Sequence, residues 1–395
     1  MTHIGNCELL QKLEEAWRRG DIHQMPSLHQ QHLAFHNTSH NSDLCVARSH
    51  YRMGEYGKCI QRLGSCITHP TAKILLAKSF WQLGWDCKAF EYAKSVLDDE
   101  RSSKAVQAEA YEIMAYVYRI ARCQNESLSM ALKCLMSEPN IGYRCLWRLR
   151  ALDKVFTMPE IVDCIDGENE VYNLLVELTN IKNSPYLRLD YLNMLQRLGI
   201  LDNLLSIFYI MYSLYIEIGE TKRAESLIEE LKSHFPNSFH PYYIRHLYRG
   251  LNSIPVYTQL LKETIQEIEA GLSVDSHIPN LHLCFALVQL YGLQTDREFR
   301  KKSIHYLDYF IKYICDETEI SHKIMNSPEH AYIIATGALI SRKVGWVAKS
   351  IRYLIMVIRK VRYINDEEEH SIYKFLCESY LKGIVRPKRY ILLNV

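Results

Sequence analysis

At 395 residues, with 48% hydrophobic and 23% charged side chains, the chain exceeds a single hydrophobic core. It reads as two domains or one elongated array of repeats, and its composition excludes a disordered protein. A formal net charge of +2 excludes a global field that would gather nucleic acid or acidic membrane, so any such contact must be local.

Twelve cysteines form no CxxC pair, and several occupy apolar helix positions, which reads as reduced packing thiols in an intracellular protein. The opening MTHIGNCELLQKLEEAW lacks a basic region followed by an apolar core, so no signal peptide is expected. The longest run free of acidic, basic and histidine residues, 203–216, falls short of the ~20 apolar residues of a membrane span and reads as a buried helix. No membrane contact is expected.

Taken in order, residues 8–19 place Leu9, Leu10, Leu13, Ala16 and Trp17 at three- and four-residue spacing, an amphipathic helix that Gly20 ends. Residues 23–40 are rich in histidine. His29, His32 and His36 share a helical spacing compatible with metal ligation, but no carboxylate or cysteine completes a set close by in sequence. The expectation is a polar helix or loop with incidental histidines, and no metal is assigned.

Residues 44–97 carry the organising pattern, a unit repeated thirty residues on. Val46, Ala47, Tyr51, Gly54, Tyr56, Cys59, Leu63 and Cys66 correspond to Leu76, Ala77, Trp81, Gly84, Asp86, Ala89, Ala93 and Val96. Each copy describes an apolar helix, a turn containing glycine, and a second helix with small residues where the first must lie close. A third copy, 108–139, has Arg122 in place of the turn glycine and closes on Pro139, which cannot continue its helix.

Residues 141–183 fit the unit poorly while staying helical in pattern, with Pro159 opening a helix, and the acidic 165–170 and the 183–185 segment are candidate subdivisions. The unit returns at 205–236 through Met211, Tyr212, Tyr215, Gly219, Ala224, Ile228, Leu231 and Pro236. Further helical segments follow at 241–250, 254–271, 279–292 and 296–315, then a divergent hairpin at 330–341 and 346–361 turning at Gly345. The last predicted helix, 366–382, should cap the array.

The organisation is thus an N-terminal helix and histidine-rich segment (1–43), repeats (44–139), a divergent helical segment (140–204), a further repeat (205–236), and divergent repeats with a basic C-terminal capping region (237–395). No GxxxxGK[ST], GxGxxG after a strand, GxSxG or HExxH is present, so no catalytic residue, cofactor or enzymatic activity is expected.

These units resemble the tetratricopeptide repeat family. Ala47, Ala77 and Ala115 match its early small site; Cys59, Ala89, Ser127 and Ala224 match its small site on the second helix, and Pro139 and Pro236 its closing proline. The resemblance covers residues 44–139 and 205–236. It implies an all-α fold of antiparallel hairpins stacked as an α-solenoid, irregular in the middle and at the C-terminal end. It also implies a concave surface for partner proteins and no chemistry of its own.

NSDLCVARSHYRMGEYGKCI and MALKCLMSEPNIGYRCLWRL are similar to repeat subunits of the anaphase-promoting complex. FPNSFHPYYIRHLYRG, VDSHIPNLHLCFALVQLYG and the basic C-terminal end are similar to the A-type TBP-associated subunit of the RNA polymerase I promoter selectivity factor. The second resemblance implies a nuclear transcription-initiation role among other protein subunits, and the first a role in cell-cycle ubiquitination.

Arg48, Arg52, Lys73 and Lys78, on first helices of the opening repeats, are the candidate contacts to an acidic partner. Lys349, Arg352, Arg359, Lys360 and Arg362, among Ile351, Leu354, Ile355 and Ile358, are candidate contacts to nucleic acid or an acidic partner, or else a solvated face over a buried seam.

Overall fold

The computed structural model describes residues 8–38, 43–64, 68–152, 169–180, 184–200, 204–244, 258–274, 280–293, 296–314 and 328–361. The described residues are helices and their connections, with no strand among them. The predicted helices opening at Pro159 and spanning 366–382 lie outside them.

The helices are α1 (Glu8–Arg19), α2 (Gln24–Thr38), α3 (Asp43–Arg52), α4 (Tyr56–Leu63), α5 (Pro70–Gln82), α6 (Asp86–Leu97), α7 (Lys104–Ile120), α8 (Gln124–Ser137) and α9 (Pro139–Arg148). They continue with α10 (Glu170–Asn180), α11 (Pro185–Arg197), α12 (Leu204–Glu217), α13 (Thr221–His234), α14 (Thr258–Val274), α15 (Leu281–Leu293), α16 (Arg297–Ile314), α17 (Pro328–Lys343) and α18 (Val347–Val361). Each of α3 to α8 packs on its neighbour in sequence, and the first helices also pack on one another, α3 on α5 and α5 on α7. This double adjacency makes the array a TPR-like α-solenoid rather than a chain of isolated hairpins.

One local device builds the hairpins. After α3, Gly54 adopts φ +71°, its N–H donates to Tyr51 O at 3.0 Å, and the next N–H, of Glu55, donates to His50 O at 2.9 Å. A left-handed residue that closes the exposed carbonyls of the last turn is the Schellman ending. The same pair of bonds recurs after Gly20, Gly84, Gly199, Gly219 and Gly345, and after Arg122 (φ 59°) and Arg150 (φ 55°). Arg122 therefore occupies the glycine position in geometry as in alignment. Five residues past the turn, Cys59, Ala89, Ser127, Ala224 and Ser350 are all buried, where the two helices approach closely. Ser127 Oγ and Ser350 Oγ each donate at 2.8 Å to the carbonyl twelve residues back, Ala115 O and Ala338 O.

The apolar faces meet in a continuous core running from Leu10 to Leu290, with a second cluster from Leu281 to Val357. Leu10, Leu13, Ala16 and Trp17 bury the predicted face of α1. Ile304, Leu307 and Phe310 do the same for α16. Among the described residues Cys45, Cys59, Cys87, Cys134, Cys145 and Cys284 are buried. Burial pushes the Cys59 and Cys284 thiols up to about 12, which keeps them protonated and inert.

The array also folds back on itself. Gln196 Nε2 donates to Trp17 O at 2.8 Å, Asn237 Nδ2 to Glu55 Oε1 at 2.9 Å, and the Leu281 N–H to Leu83 O at 2.8 Å. The turns after α1, α3 and α5 are thus covered in turn by the end of α11, by residues 237–240 and by the start of α15. Gly54 and Gly84 are needed here for a second reason. A Cβ at Gly54 would lie 2.7 Å from Ser238 Oγ, and one at Gly84 3.2 Å from Leu281 Cβ.

Candidate functional site

The four candidate cations on the opening repeats differ in surroundings. Arg48 is exposed. Arg52 straddles the Glu14 carboxylate, with Nε 2.9 Å from both oxygens, and its guanidinium lies 5.6 Å from the centre of the Trp17 ring. Lys73 Nζ meets Asp99 Oδ2 at 3.0 Å, and Lys78 Nζ meets Glu109 Oε1 at 2.5 Å. The side chains of Arg52, Lys73 and Lys78 are only 20%, 18% and 12% exposed. Three of these four candidate contacts are therefore largely covered instead of open to a partner. Their stems pack between helices and their charges tie one helix to the next, α3 to α1 and α5 to both the α6–α7 connection and α7.

In the C-terminal basic stretch, Lys349 pairs with Asp308 and lies 5.2 Å from the centre of the Trp346 ring, while Arg352 is exposed. The Arg359 and Lys360 side chains and all of Arg362 lie outside the described residues. The helix face differs from expectation. Ser350, Tyr353 and Val357 form the buried seam of α18, whereas Ile351, Ile355 and Ile358 join Val347 in an exposed row, 60%, 50%, 45% and 42% exposed at 347, 351, 355 and 358. Helical spacing places these four on one side, with Arg352 beside them. The sequence alone shows apolar residues on both sides of α18 and does not say which side the array covers.

Two histidines of the histidine-rich helix are buried rather than incidental to a polar surface. Met25, His29 and His32 follow the buried stripe of α2 and are at most 5% exposed, because α2 packs on both α1 and α3. His29 meets residues distant in sequence. His29 Nε2 lies 3.6 Å from Glu55 Oε2, and His50 Nδ1 lies 2.6 Å from the same oxygen. Glu55 Oε1 accepts from Asn237 Nδ2 at 2.9 Å and lies 3.2 Å from Lys58 Nζ. Burial alone would raise the Glu55 carboxyl, but the polar contacts of His29 and His50, with Lys58 behind, hold it well below the usual carboxylate range. A second, exposed group joins His23 to His234 (Nδ1 to Nε2, 2.9 Å) and to Glu230 (3.3 Å). Both clusters couple the first two hairpins to residues 230–240, and no sequence spacing announces either.

Next to the Glu55 cluster, Tyr56 OH and His240 Nε2 share a hydrogen bond of 2.9 Å, and His240 Nδ1 has no hydrogen-bond partner among the described residues. Burial pushes the His240 imidazole down to about 3, and that of His282, packed under the Gly84 turn, down to about 4. Both fold-back joints thus hold neutral imidazoles. A histidine pKa depressed in the folded state means that the unfolded chain binds more protons between the two values. The stabilisation is then complete above about pH 6.5 and is lost as pH falls toward 3 to 4. We expect His240 alone to cost roughly 2 kcal/mol of stability as pH falls from 6.5 to 4.5, read from the urea midpoints of wild type and variant. His240→Gln should flatten that dependence; an unchanged slope in this variant would refute the assignment.

No protein-family model and no curated protein sequence matches the chain. Among solved structures, the crystal structure of the APC/C hetero-tetramer Cut9-Hcn1 aligns over 96% of this chain and 90% of its own, at 9% identity and a TM-score of 0.28. The assignment of a TPR-like fold rests on the hairpin geometry described above. No helix among the described residues is long and apolar enough to cross a membrane.

Proposed function

We propose that the protein is a non-catalytic scaffold that binds other protein subunits, and that the exposed face of α18 is one of its docking surfaces. The observation behind this reading is the row Val347, Ile351, Ile355 and Ile358, continuous over three turns and solvent-exposed on a helix whose opposite side is buried. An apolar row with a neighbouring cation, Arg352, fits an amphipathic helix of a partner subunit whose flank is acidic, the helix-in-groove mode of recognition. Arg48 on the opening repeats is a second exposed contact of the same sign.

The assembly we propose, from the resemblance of the C-terminal half, is the TBP-containing initiation factor of RNA polymerase I in the nucleus. The resemblance of the N-terminal half supports an anaphase-promoting-complex-type subunit as the alternative. Direct nucleic-acid contact through the C-terminal basic helix has less behind it, since Lys349 is engaged by Asp308.

Affinity purification of the wild type and of an Ile351→Asp/Ile355→Asp variant, read by mass spectrometry, tests both levels of the reading. TBP and polymerase I factors recovered with the wild type and depleted at least tenfold with the variant are the expected result. Ubiquitin-ligase subunits in their place would overturn the assembly and keep the scaffold. A wild type that elutes as a lone chain from native extract would overturn the scaffold itself.

A further inference from the structure

We propose that His29, His50 and Glu55 form a zinc-binding site that clips the first two hairpins together. The three side chains come from α2, the last turn of α3 and the residue that opens α4. Their candidate donor atoms all lie within 4.8 Å of one another, and all three residues are buried. Two imidazoles and a carboxylate are a donor set suited to zinc, which takes nitrogen and oxygen ligands at about 2.0–2.2 Å in tetrahedral geometry.

Tetrahedral ligands at such distances are separated by about 3.3–3.5 Å. His29 Nε2 and Glu55 Oε2 are already 3.6 Å apart. His50 Nδ1 and Glu55 Oε2, at 2.6 Å, share a hydrogen bond that an ion would replace, and a small rotation of the Glu55 carboxylate opens that gap.

The outer contacts are those a metal site needs. His29 Nδ1 is held by Ser49 Oγ at 2.6 Å, which leaves Nε2 turned toward Glu55. Glu55 Oε1 is held by Asn237 Nδ2 and faces Lys58, which leaves Oε2 turned toward the two imidazoles. Partners on the far atoms of His29 and Glu55 orient these two ligands before any ion arrives. The backbone adds its own constraint, because the Schellman bond from the Glu55 N–H to His50 O sets the spacing of two of the three ligands. A simple hydrogen-bonded pair accounts for His50 and Glu55. His29 brings a second buried imidazole, whose Nε2 faces the same oxygen at 3.6 Å, so two imidazoles converge on one carboxylate oxygen. Three protein ligands leave the fourth position to a water molecule.

The test uses the full chain, stripped with a chelator and then incubated with zinc or cobalt(II). The expected result is one tightly bound equivalent of zinc, visible absorption of a tetrahedral cobalt centre, and a rise in unfolding temperature of about 5 °C or more with excess zinc. His50→Asn should lower the affinity at least a hundredfold, while His234→Ala, in the exposed cluster, should leave it unchanged. X-ray absorption of the zinc-loaded wild type reads the ligand set without any substitution, and nitrogen and oxygen neighbours including two imidazoles are expected. Absence of bound zinc in the wild type, a sulfur-containing first shell, or loss of the equivalent in His234→Ala with retention in His50→Asn would overturn the proposal.

Discussion

Replacing Glu112 by alanine is expected to destabilise the protein by about 3–5 kcal/mol, the cost of leaving a buried cation without its counter-ion. Glu112 lies in the middle of α7 and is 4% exposed. Arg144 of α9 clasps its carboxylate through Nε, at 2.8 Å, and Nη2, and Arg148 Nη1 approaches at 3.7 Å. Tyr116 OH donates to the same carboxylate at 3.0 Å. Arg144 Nη1 also donates to Ile200 O at 2.6 Å, so the pair links α7, α9 and the turn after α11. Urea denaturation followed by far-UV circular dichroism should show the loss. Because most of it comes from stranded charge, Glu112→Met combined with Arg144→Met should recover the share due to Arg144, the closer of the two guanidinia, relative to Glu112→Met alone. A double variant no better than the single one would mean that lost packing, rather than the orphaned guanidinium, sets the cost.

The second large effect is expected at Gly142 on α9. A Cβ there would lie 2.2 Å from Leu135 Cα and 2.6 Å from Leu135 N, backbone atoms of α8 that cannot rotate away. The two helices meet at an elbow, where Glu138 is extended and Pro139 opens α9, and they approach this closely only because the facing residue has no side chain. Gly142→Ala should therefore cost about 3 kcal/mol or more, as overpacking against backbone. Gly219→Ala provides the contrast. Gly219 has φ +80° and nothing within 4 Å of an added Cβ, so only the left-handed penalty of about 1–2 kcal/mol applies. Equal losses in the two variants, measured by urea unfolding, would show that the elbow relaxes.

The hairpins were legible in the sequence because their causes are local. Apolar periodicity, a small residue five positions after the turn, and glycine at the left-handed position all lie within one unit, so Gly54, Gly84, Gly219 and Gly345 are recognisable from spacing. Arg122 was recognisable by alignment with them. Arg150 was not, since arginine carries no left-handed signature and its neighbours lack the repeat pattern. The buried cluster was missed for a different reason. His29, His50 and Glu55 belong to three successive elements, and the Asn237 that steadies Glu55 lies 182 residues away.

The apolar row on α18 and the paired state of Arg52, Lys73 and Lys78 show the same division. A heptad-like spacing says that a helix is amphipathic, but which side the array covers depends on how each unit is rotated against the last. Those rotations accumulate over many helices and bring residues 237–240 onto the Gly54 turn and Leu281 onto the Gly84 turn. Local patterning is enough to predict helices, the places where the hairpins turn and the small residues between them, because hydrogen bonds and side-chain spacing over a few residues decide those features. Which charges are tied between helices, which apolar row is left open and which histidines meet a carboxylate are set by packing between distant units. Those outcomes depend on contacts between elements far apart in the chain, and no local pattern encodes the curvature that brings them together.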